Sequence, residues 1–434
     1  MSMVKINNHY LTGLIKPSYT LQNLVEIKKF LEDHGTLKFA IKENGLYSAM
    51  TTEQKESISG YTYTWIRDTI MITNYQRETG NFHIVEKTLD ALRNYFYKQR
   101  HRFINIIEGN ADKNDPMQRP HIRFNGDTLE EIDQKWAHAQ NDALGYALWM
   151  VFKVANENRY SWNSIDHEVY PLFPLYFEAI EYWHDEDSGH WEEARKVQSS
   201  SIGVVVAALK EMKKFITLNP AASFEYKKRK ITIEQLQYLI EQGEKQLQEF
   251  LPYESPPQRD ADGALLFLLY PLEVIEEKQA QKVLNTVLTH LQGDYGIKRY
   301  KGDSYWCANY KKLLKEEDRT VDFSENMEQR DRMLIPDTEA QWCIFNPIVS
   351  VIYGKRYVKT QKAQNLEAQT YYFNRSLGQL TPESCVLGAG KCPEAYYIED
   401  SANGIYIHND HVPLGWAQAN LGVALEYMKR SLAV

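Results

Sequence analysis

The stretch Gly189-His190-Trp191-Glu192-Glu193, followed by Ser199-Ser200-Ser201-Ile202-Gly203, is the part of the chain from which we infer fold and function. Its first half places two acids directly after a tryptophan. Its second half begins an apolar segment with helical spacing, Val204–Phe215. Alone, such a triplet is typical of solvated carboxylates at a helix end, because glutamate prefers the surface. A functional interpretation needs a second carboxylate, and Glu394 is the candidate.

Glu192 and Glu394 are the residue types that cleave a glycosidic bond. One carboxyl protonates the leaving oxygen, and the other attacks the sugar or activates water. An acid packed against an aromatic side chain loses hydration, which raises its pKa and keeps its proton available near neutral pH. Because Trp191 precedes Glu192, we expect the pKa of Glu192 to lie above about 4.3 and Glu394 to stay ionised at neutral pH.

The composition favours a sugar pocket and disfavours polyanionic partners. The chain of 434 residues contains 29 tyrosines and nine tryptophans, side chains that stack on sugar rings and hydrogen-bond to hydroxyls, although most of them would serve an aromatic core. The net charge of −8 argues against binding to nucleic acid or to an anionic membrane, since both require a cationic surface.

Targeting and cysteine signals are weak. Residues 1–9 lack the apolar run of a signal peptide, and no run of eighteen apolar residues occurs, which predicts a cytoplasmic protein. The four cysteines do not form a disulfide framework, and the spacing from Cys385 to Cys392 is not that of a zinc site. We therefore predict reduced thiols and neither a metal nor a cofactor.

Helical periodicity dominates the chain, and strand alternation is scarce. This pattern predicts about eight to twelve helices packed on one another around one centre. Besides Val204–Phe215, the apolar stripes are Leu21–Leu31, which Gly35 closes, Val85–Phe103, Ala143–Val154, Leu236–Leu251, Val283–Leu291, Ile344–Tyr353 and Trp416–Met428.

Three loops between these segments, residues 60–68, 121–126 and 135–142, combine aromatic with polar side chains. Arginine forks and carboxylate or amide oxygens can bind two sugar hydroxyls at once. An alternative is that Arg67 and Asp68 form a pair that caps a helix. The candidates in the first and third loops are Trp65, Arg67, Asp68, Trp136, Gln140 and Asp142.

Five motifs occur in this order along the chain: Tyr61-x-x-x-Trp65-x-Arg67-Asp68, Trp191-Glu192-Glu193, Arg299-Tyr300-x-x-Asp303-x-Tyr305, Pro393-Glu394 and Pro413-Leu414-x-Trp416. The same order is found in glucoamylases, glycoside hydrolase family 15, and the chain resembles that family over roughly residues 15 to 430. The similarity to the glucoamylase-like domain of phosphorylase kinase alpha and beta subunits is closer still, in Ala139–Gly145, Tyr270-Pro271-Leu272 and Pro393–Tyr397.

The resemblance implies an all-α fold, the (α/α)6 barrel of six inner and six outer helices, with the active site in the loops at one end. It implies that Glu192 is the general acid and Glu394 the general base of an inverting hydrolysis at the non-reducing end of an α-glucan. Inversion requires about 6.5 to 9.5 Å between the two carboxyls, which leaves room for a water molecule.

The resemblance also implies substrate contacts. Arg67, Asp68 and Arg299 would hold the terminal glucose, and Tyr61 would lie near its developing positive charge. Trp136, Trp191 and Trp416 would form the walls, and Glu193 is the remaining substrate-binding candidate. The partner is then an oligosaccharide or an α-glucoside.

We expect residues 1–434 to form one domain of this type, with a charged insertion at about residues 306–337. Lys311–Arg319 within it is typical of a solvated loop, and a lid or a subunit contact is the alternative. Two functions stay open: an exo-acting glucosidase, and a non-catalytic oligosaccharide-binding or regulatory protein like the kinase subunits. The presence of both Glu192 and Glu394 favours the enzyme, because binding needs no acid and base pair.

Overall fold

Helices account for most of the regular structure in the computed structural model, which describes residues 4–50 and 60–434. Met1–Met3, the first part of the N-terminal stretch considered above, lie outside the described residues. The helices are α1 (Leu21–Asp33), α2 (Ile66–Glu78), α3 (Phe82–Lys98), α4 (Arg100–Ile107), α5 (Asn141–Asn156), α6 (Ser164–Val169), α7 (Leu172–Ile180), α8 (Ser199–Leu218), α9 (Ile233–Phe250), α10 (Glu277–Leu291), α11 (Tyr310–Leu313), α12 (Met327–Asp331), α13 (Phe345–Thr360), α14 (Ala363–Gly378) and α15 (Gly415–Leu432).

Helices α2, α5 and α8, the 3-10 segment Gly263–Leu268, and helices α13 and α15 contact one another in that order and close into a ring. Each ring element packs against an outer helix, in the same order α3, α7, α9, α10, α14 and α1. Helix α5 is buried along nearly its whole length, whereas α9 and α10 bury one face each. The predicted all-α (α/α)6 barrel is therefore confirmed, with a short 3-10 segment as its fourth inner element.

Two glycines allow the inner elements to approach closely. A Cβ atom at Gly145 of α5 would lie 2.9 Å from the Val204 side chain of α8. A Cβ atom at Gly203 of α8 would lie 2.2 Å from the Leu268 side chain of the 3-10 segment. Side chains at these positions would force the inner ring apart, because a packed core has no space for added atoms.

The described residues also form short strands. They are β1 (Thr64–Trp65), β2 (Arg123–Asn125), β3 (Glu130–Glu131), β4 (Glu225–Tyr226), β5 (Arg229–Lys230), β6 (Gln341–Trp342), β7 (Ala395–Ile398) and β8 (Tyr406–His408). They pair into three small antiparallel sheets with the orders β1-β2-β3, β4-β5 and β6-β7-β8. Strands β1, β3 and β6 to β8 lie in the segments that lead into inner helices.

Each predicted apolar stripe coincides with a helix, although Val85–Phe103 is divided into α3 and α4 at Gln99. Three further long helices lacked a clear stripe: α2, α7 and α14. Helix α2 buries Arg67, Asn74 and Gln76 along with its apolar residues, and α14 buries Gln369 and Arg375. A helix that buries polar side chains shows no apolar face in sequence. Among the described residues, no helix is both long and apolar enough to span a membrane.

Candidate active site

A cavity lies where the inner helices begin. Arg67 and Asp68 are in the first turn of α2, Glu192 precedes α8, and Trp416 is in the first turn of α15. Ten predicted site residues line it together: Tyr61, Trp65, Arg67, Asp68, Trp136, Trp191, Glu192, Arg299, Glu394 and Trp416.

Glu192 ends the 3-10 turn Gly189–Trp191 in the left-handed conformation, with φ 58° and ψ 41°. A non-glycine residue at positive φ is strained, and such strain is frequent at functional sites. One carboxylate oxygen, Oε1, accepts a hydrogen bond from Nη2 of Arg67 at 3.2 Å. The other, Oε2, accepts one from Nε1 of Trp136 at 3.0 Å. One side chain from the first turn of α2 and one from the loop before α5 therefore fix the carboxyl in the cavity wall.

Burial raises the pKa of Glu192 above its ordinary value, although the charges of Arg67 and Arg123 oppose this shift. The direction agrees with the sequence prediction. The tryptophan that contacts the Glu192 carboxylate is not Trp191, which was expected to pack against it. Trp136 donates to Glu192, whereas Nε1 of Trp191 donates to Asp262 at 2.9 Å. Trp191 still lines the cavity.

Glu394 is 3% exposed and is held by donors on both oxygens. Tyr61 donates its phenolic hydrogen to Oε1 at 2.9 Å. Asn409 Nδ2 and His411 Nδ1 lie 2.7 and 2.6 Å from Oε2. Strand β7 begins directly after Glu394, and its partner strand β8 ends directly before Asn409, so the hairpin brings these residues together.

Burial alone would raise the pKa of Glu394. The charge and hydrogen bond of His411, with the hydrogen bonds of Tyr61 and Asn409, outweigh burial and hold this pKa below its ordinary value. Each carboxylate oxygen has two acceptor sites. Since the described residues occupy one site on Oε1, that oxygen can accept a further hydrogen bond from a water molecule.

Arg67 connects Glu192 to two residues behind the cavity wall. Its Nη1 donates to Oδ2 of Asp142 at 2.6 Å and to Oε1 of Gln140 at 2.9 Å. Gln140 and Asp142 were predicted to bind substrate, but neither lines the cavity. The hydrogen-bond partners of Arg67 are thus Asp142, Gln140 and Glu192, and not Asp68 as a helix-capping pair would require.

Asp68 and Arg299 keep polar groups open to the cavity. Among the described residues, the Asp68 carboxylate has no side-chain hydrogen-bond donor, and burial raises its pKa to about 7, with Arg67 opposing the shift. Arg299 uses Nε and Nη2 to bind Asp303 at 2.7 and 2.6 Å. Its Nη1 forms no hydrogen bond within the described part of the chain. A ligand with hydroxyl groups can therefore find both an acceptor and a donor here.

Glu193, predicted to bind substrate, lies outside the lining and is 1% exposed. Its Oε1 accepts from Nη2 of Arg299 at 3.0 Å and from Nη2 of Arg330 at 2.5 Å. Its Oε2 accepts from Arg259 at 3.0 Å and from Tyr300 at 2.6 Å. The structure thus places Glu193 as the common acceptor of three arginines, where it positions Arg299.

Several residues that were not among the predicted site residues also line the cavity, including Tyr305 and Trp342. Tyr305 belongs to a quoted motif, and its hydroxyl lies 3.2 Å from that of Tyr61. The segment predicted to be an insertion also contributes, since residues 320–323 and Arg330 line the cavity. His411 and Asn409 carried no local signal, because they reach Glu394 through the β7–β8 hairpin.

A buried carboxyl, Glu394, and a half-buried one, Glu192, lie among tryptophans at one end of an (α/α)6 barrel, and this arrangement is typical of a glycoside hydrolase. The sequence profile described as "Glycosyl hydrolases family 15" matches residues 28–381, which is most of the chain. The chain therefore belongs to this family of glycoside hydrolases.

Individual relatives agree with this assignment. The "Probable phosphorylase b kinase regulatory subunit alpha" of Drosophila melanogaster is 27% identical over 226 residues, which cover 49% of this chain and 16% of that protein. The wild-type form of a glycosidase has a TM-score of 0.67 at 14% identity, covering 95% of this chain and 99% of its own. The glucoamylase of Saccharomycopsis fibuligera has a TM-score of 0.59 at 13% identity, covering 100% and 98%. At these identities, the two solved structures show the fold.

Proposed function

We propose that this protein hydrolyses α-glucosides from the non-reducing end by an inverting mechanism and releases one glucose at a time. One observation carries the proposal: Glu192 and Glu394 line the same cavity, and their surroundings shift their pKa values in opposite directions. An acid and a base with separated pKa values are what this reaction requires.

Glu192 is the proposed general acid. With its pKa raised by burial, it holds a proton that it gives to the glycosidic oxygen as the bond to the sugar breaks. Donation leaves a carboxylate, which Arg67 stabilises through the contact to Oε1. The hydrogen bond from Trp136 to Oε2 keeps the carboxyl oriented during this change.

Glu394 is the proposed general base. It stays ionised at neutral pH, and the free acceptor site on Oε1 takes a hydrogen bond from a water molecule. Glu394 removes a proton from this water while the water attacks the anomeric carbon from the face opposite to the leaving group. We expect the two carboxyls to stand about 6.5 to 9.5 Å apart in the complex with substrate.

The terminal glucose would lie between these groups. Asp68 can accept from its hydroxyls, and Nη1 of Arg299 can donate to them. Tyr61 lies beside Glu394, near the positive charge that develops on the sugar ring. Trp65, Trp136 and Trp416 supply faces for stacking.

A second candidate is a non-catalytic oligosaccharide-binding protein, and the similarity to a kinase regulatory subunit supports it. In such a protein the cavity would bind sugar without turnover. Incubation with a panel of α-glucosides, followed by glucose detection and calorimetric titration with malto-oligosaccharides, decides between the two. Binding without glucose release at any pH would overturn the hydrolase and leave the binding protein.

A further inference from the structure

The insertion crosses the cavity as a strap, defined here as residues 319–325. At one end, Nη1 of Arg319 lies 3.4 Å from Oδ2 of Asp410, the residue before His411. Tyr310 donates its hydroxyl hydrogen to the Arg319 carbonyl at 3.2 Å. This end is therefore attached beside the group that positions Glu394.

The other end of the strap is attached on the side of Glu192. Glu325 forms an ion pair with Lys135, the neighbour of Trp136, and Trp136 donates to Glu192. Behind the strap, Arg330 binds Glu193 at 2.5 Å and donates from Nε to Ser304 at 2.9 Å. The strap thus runs from the base side of the cavity to the acid side.

Residues 320–323 line the cavity between these attachments. Phe323 is 8% exposed, and the Arg330 guanidinium lies 5.7 Å from its ring centroid, so the centre of the strap is packed. Asp322 accepts one hydrogen bond at Oδ1, from the Ser324 N–H at 2.8 Å. Its Oδ2 has no hydrogen-bond partner in the described part of the chain.

Asp322 lies close enough to the acid to affect it. Asp322 and Glu192 line the same cavity, and Asp322 lies three residues before Glu325, which pairs with Lys135 beside Trp136, so its carboxylate is on the acid side of the cavity. Its negative charge also contributes to the raised pKa of Glu192. The acid protonates the oxygen of the leaving group, so the leaving sugar must lie beside Glu192. A free carboxylate oxygen at this place can accept two hydroxyl hydrogens.

We propose that the strap restricts this pocket to short α-glucosides and that Asp322 is a specificity-determining residue, which binds hydroxyls of the leaving sugar. The inference rests on the proposed function. We expect a disaccharide to reach both carboxyls and a longer glucan to be obstructed on the side of the leaving sugar, because residues 320–323 line the cavity there.

Asp322→Ala tests the contact to the leaving sugar. We expect kcat/KM for maltose to fall about 10- to 100-fold, the factor that a hydrogen bond to a charged group is worth. Hydrolysis of p-nitrophenyl α-glucoside should fall clearly less than hydrolysis of maltose, because its leaving group offers no hydroxyls in a sugar arrangement, and any change in the acid Glu192 affects both substrates. Glu328→Ala is the matched control, since Glu328 belongs to the same insertion and its side chain is 86% exposed.

Chain length tests the restriction itself. The wild type should bind and hydrolyse maltose at least about tenfold better than maltoheptaose, and replacing residues 320–323 by two glycines should narrow this ratio. Thermal unfolding shows whether the variant with the two glycines is folded. If it is not, the ratio of maltose to maltoheptaose hydrolysis by the wild type alone decides whether the strap restricts chain length. Calorimetric titration with glucose, maltose and maltoheptaose gives the same comparison without turnover.

The two proposals fail separately. A wild type that releases no glucose but binds maltose more tightly than maltoheptaose contradicts the hydrolase and supports the strap. Equal efficiency or affinity for the two sugars overturns the strap, whatever the catalytic result. The role of Asp322 is overturned if Asp322→Ala lowers the activity on maltose and on p-nitrophenyl α-glucoside by the same factor. It is also overturned if the variant keeps full activity on both substrates.

Discussion

Nδ1 of His411 lies 2.6 Å from Oε2 of Glu394, and this contact contributes most to lowering the pKa of the proposed base. The imidazole ring also stacks on Tyr61, with 4.0 Å between the ring centroids. Since Tyr61 donates to the other carboxylate oxygen, one packed pair of rings orients the whole carboxylate. A base held in this way is already in place before substrate binds.

His411→Asn should move the acid limb of the pH–rate profile to higher pH. His411 lowers the pKa of Glu394, and the rate falls as pH drops through that pKa, so removing the imidazole raises the pH at which activity is lost. The profile of kcat/KM against pH measures this shift. His408→Asn is the control, because Nε2 of His408 lies 3.3 Å from Cys385 and does not contact Glu394. Identical limbs in both variants would contradict the assignment.

Glu192→Gln should lower kcat by about 10²-fold or more while affinity for malto-oligosaccharides is largely kept. The amide preserves the shape of the carboxyl but has no proton to give to the leaving oxygen. Glucose release and calorimetric titration of the same preparation measure the two quantities. A Glu192→Gln variant with wild-type kcat would exclude this residue as the acid.

Arg67→Ala should destabilise the fold and weaken sugar binding together. The variant leaves Asp142, whose side chain is fully buried, without its cationic partner. Breaking such a pair costs about 3–5 kcal/mol. Adding Asp142→Asn should recover part of the lost Tm, since the uncompensated charge is then gone. Scanning calorimetry measures the Tm values, and an unchanged Tm for Arg67→Ala would refute the structural part of this account.

Glu193→Gln should lower the Tm at neutral pH, and it should lower the Tm by less at acidic pH. Three arginines hold the pKa of Glu193 below its ordinary value against the effect of burial. A carboxylate whose pKa is lower in the folded state adds stability that is complete above its unfolded pKa of about 4.3 and is lost as pH falls below it. The Tm difference between wild type and variant should therefore narrow below about pH 4.3. A difference that is constant from pH 7 to pH 3 would contradict this role.

Sequence patterns predicted the helices with an apolar stripe and both carboxyls that line the cavity. They could not separate residues that line the cavity from residues behind it. Glu193 follows Glu192 directly, yet the left-handed turn at Glu192 directs the two side chains to different surroundings. Gln140 and Asp142 lie at the start of α5 and accept hydrogen bonds from Arg67 of α2. These contacts join segments that are distant in sequence, so no local pattern predicts them.

Two other features depend on tertiary structure alone. His411 reaches Glu394 because β7 and β8 pair, and strands of four and three residues give no periodic signal. The charged segment at residues 306–337 has the composition of a solvated loop, and Lys312, Lys315 and Glu317 are indeed exposed. Phe323 and Arg330 are buried, however, because the partners that cover them come from elsewhere in the chain. The composition of the whole segment cannot distinguish its exposed residues from its buried ones.

The anomeric form of the first glucose released tests the central claim most directly. Proton NMR during the early hydrolysis of maltose distinguishes the two anomers before they interconvert. A water molecule activated by Glu394 on the face opposite to Glu192 must give β-glucose, and we predict that the β-anomer appears first. The α-anomer as the initial product would contradict the assignment of Glu192 and Glu394 as an inverting acid and base pair.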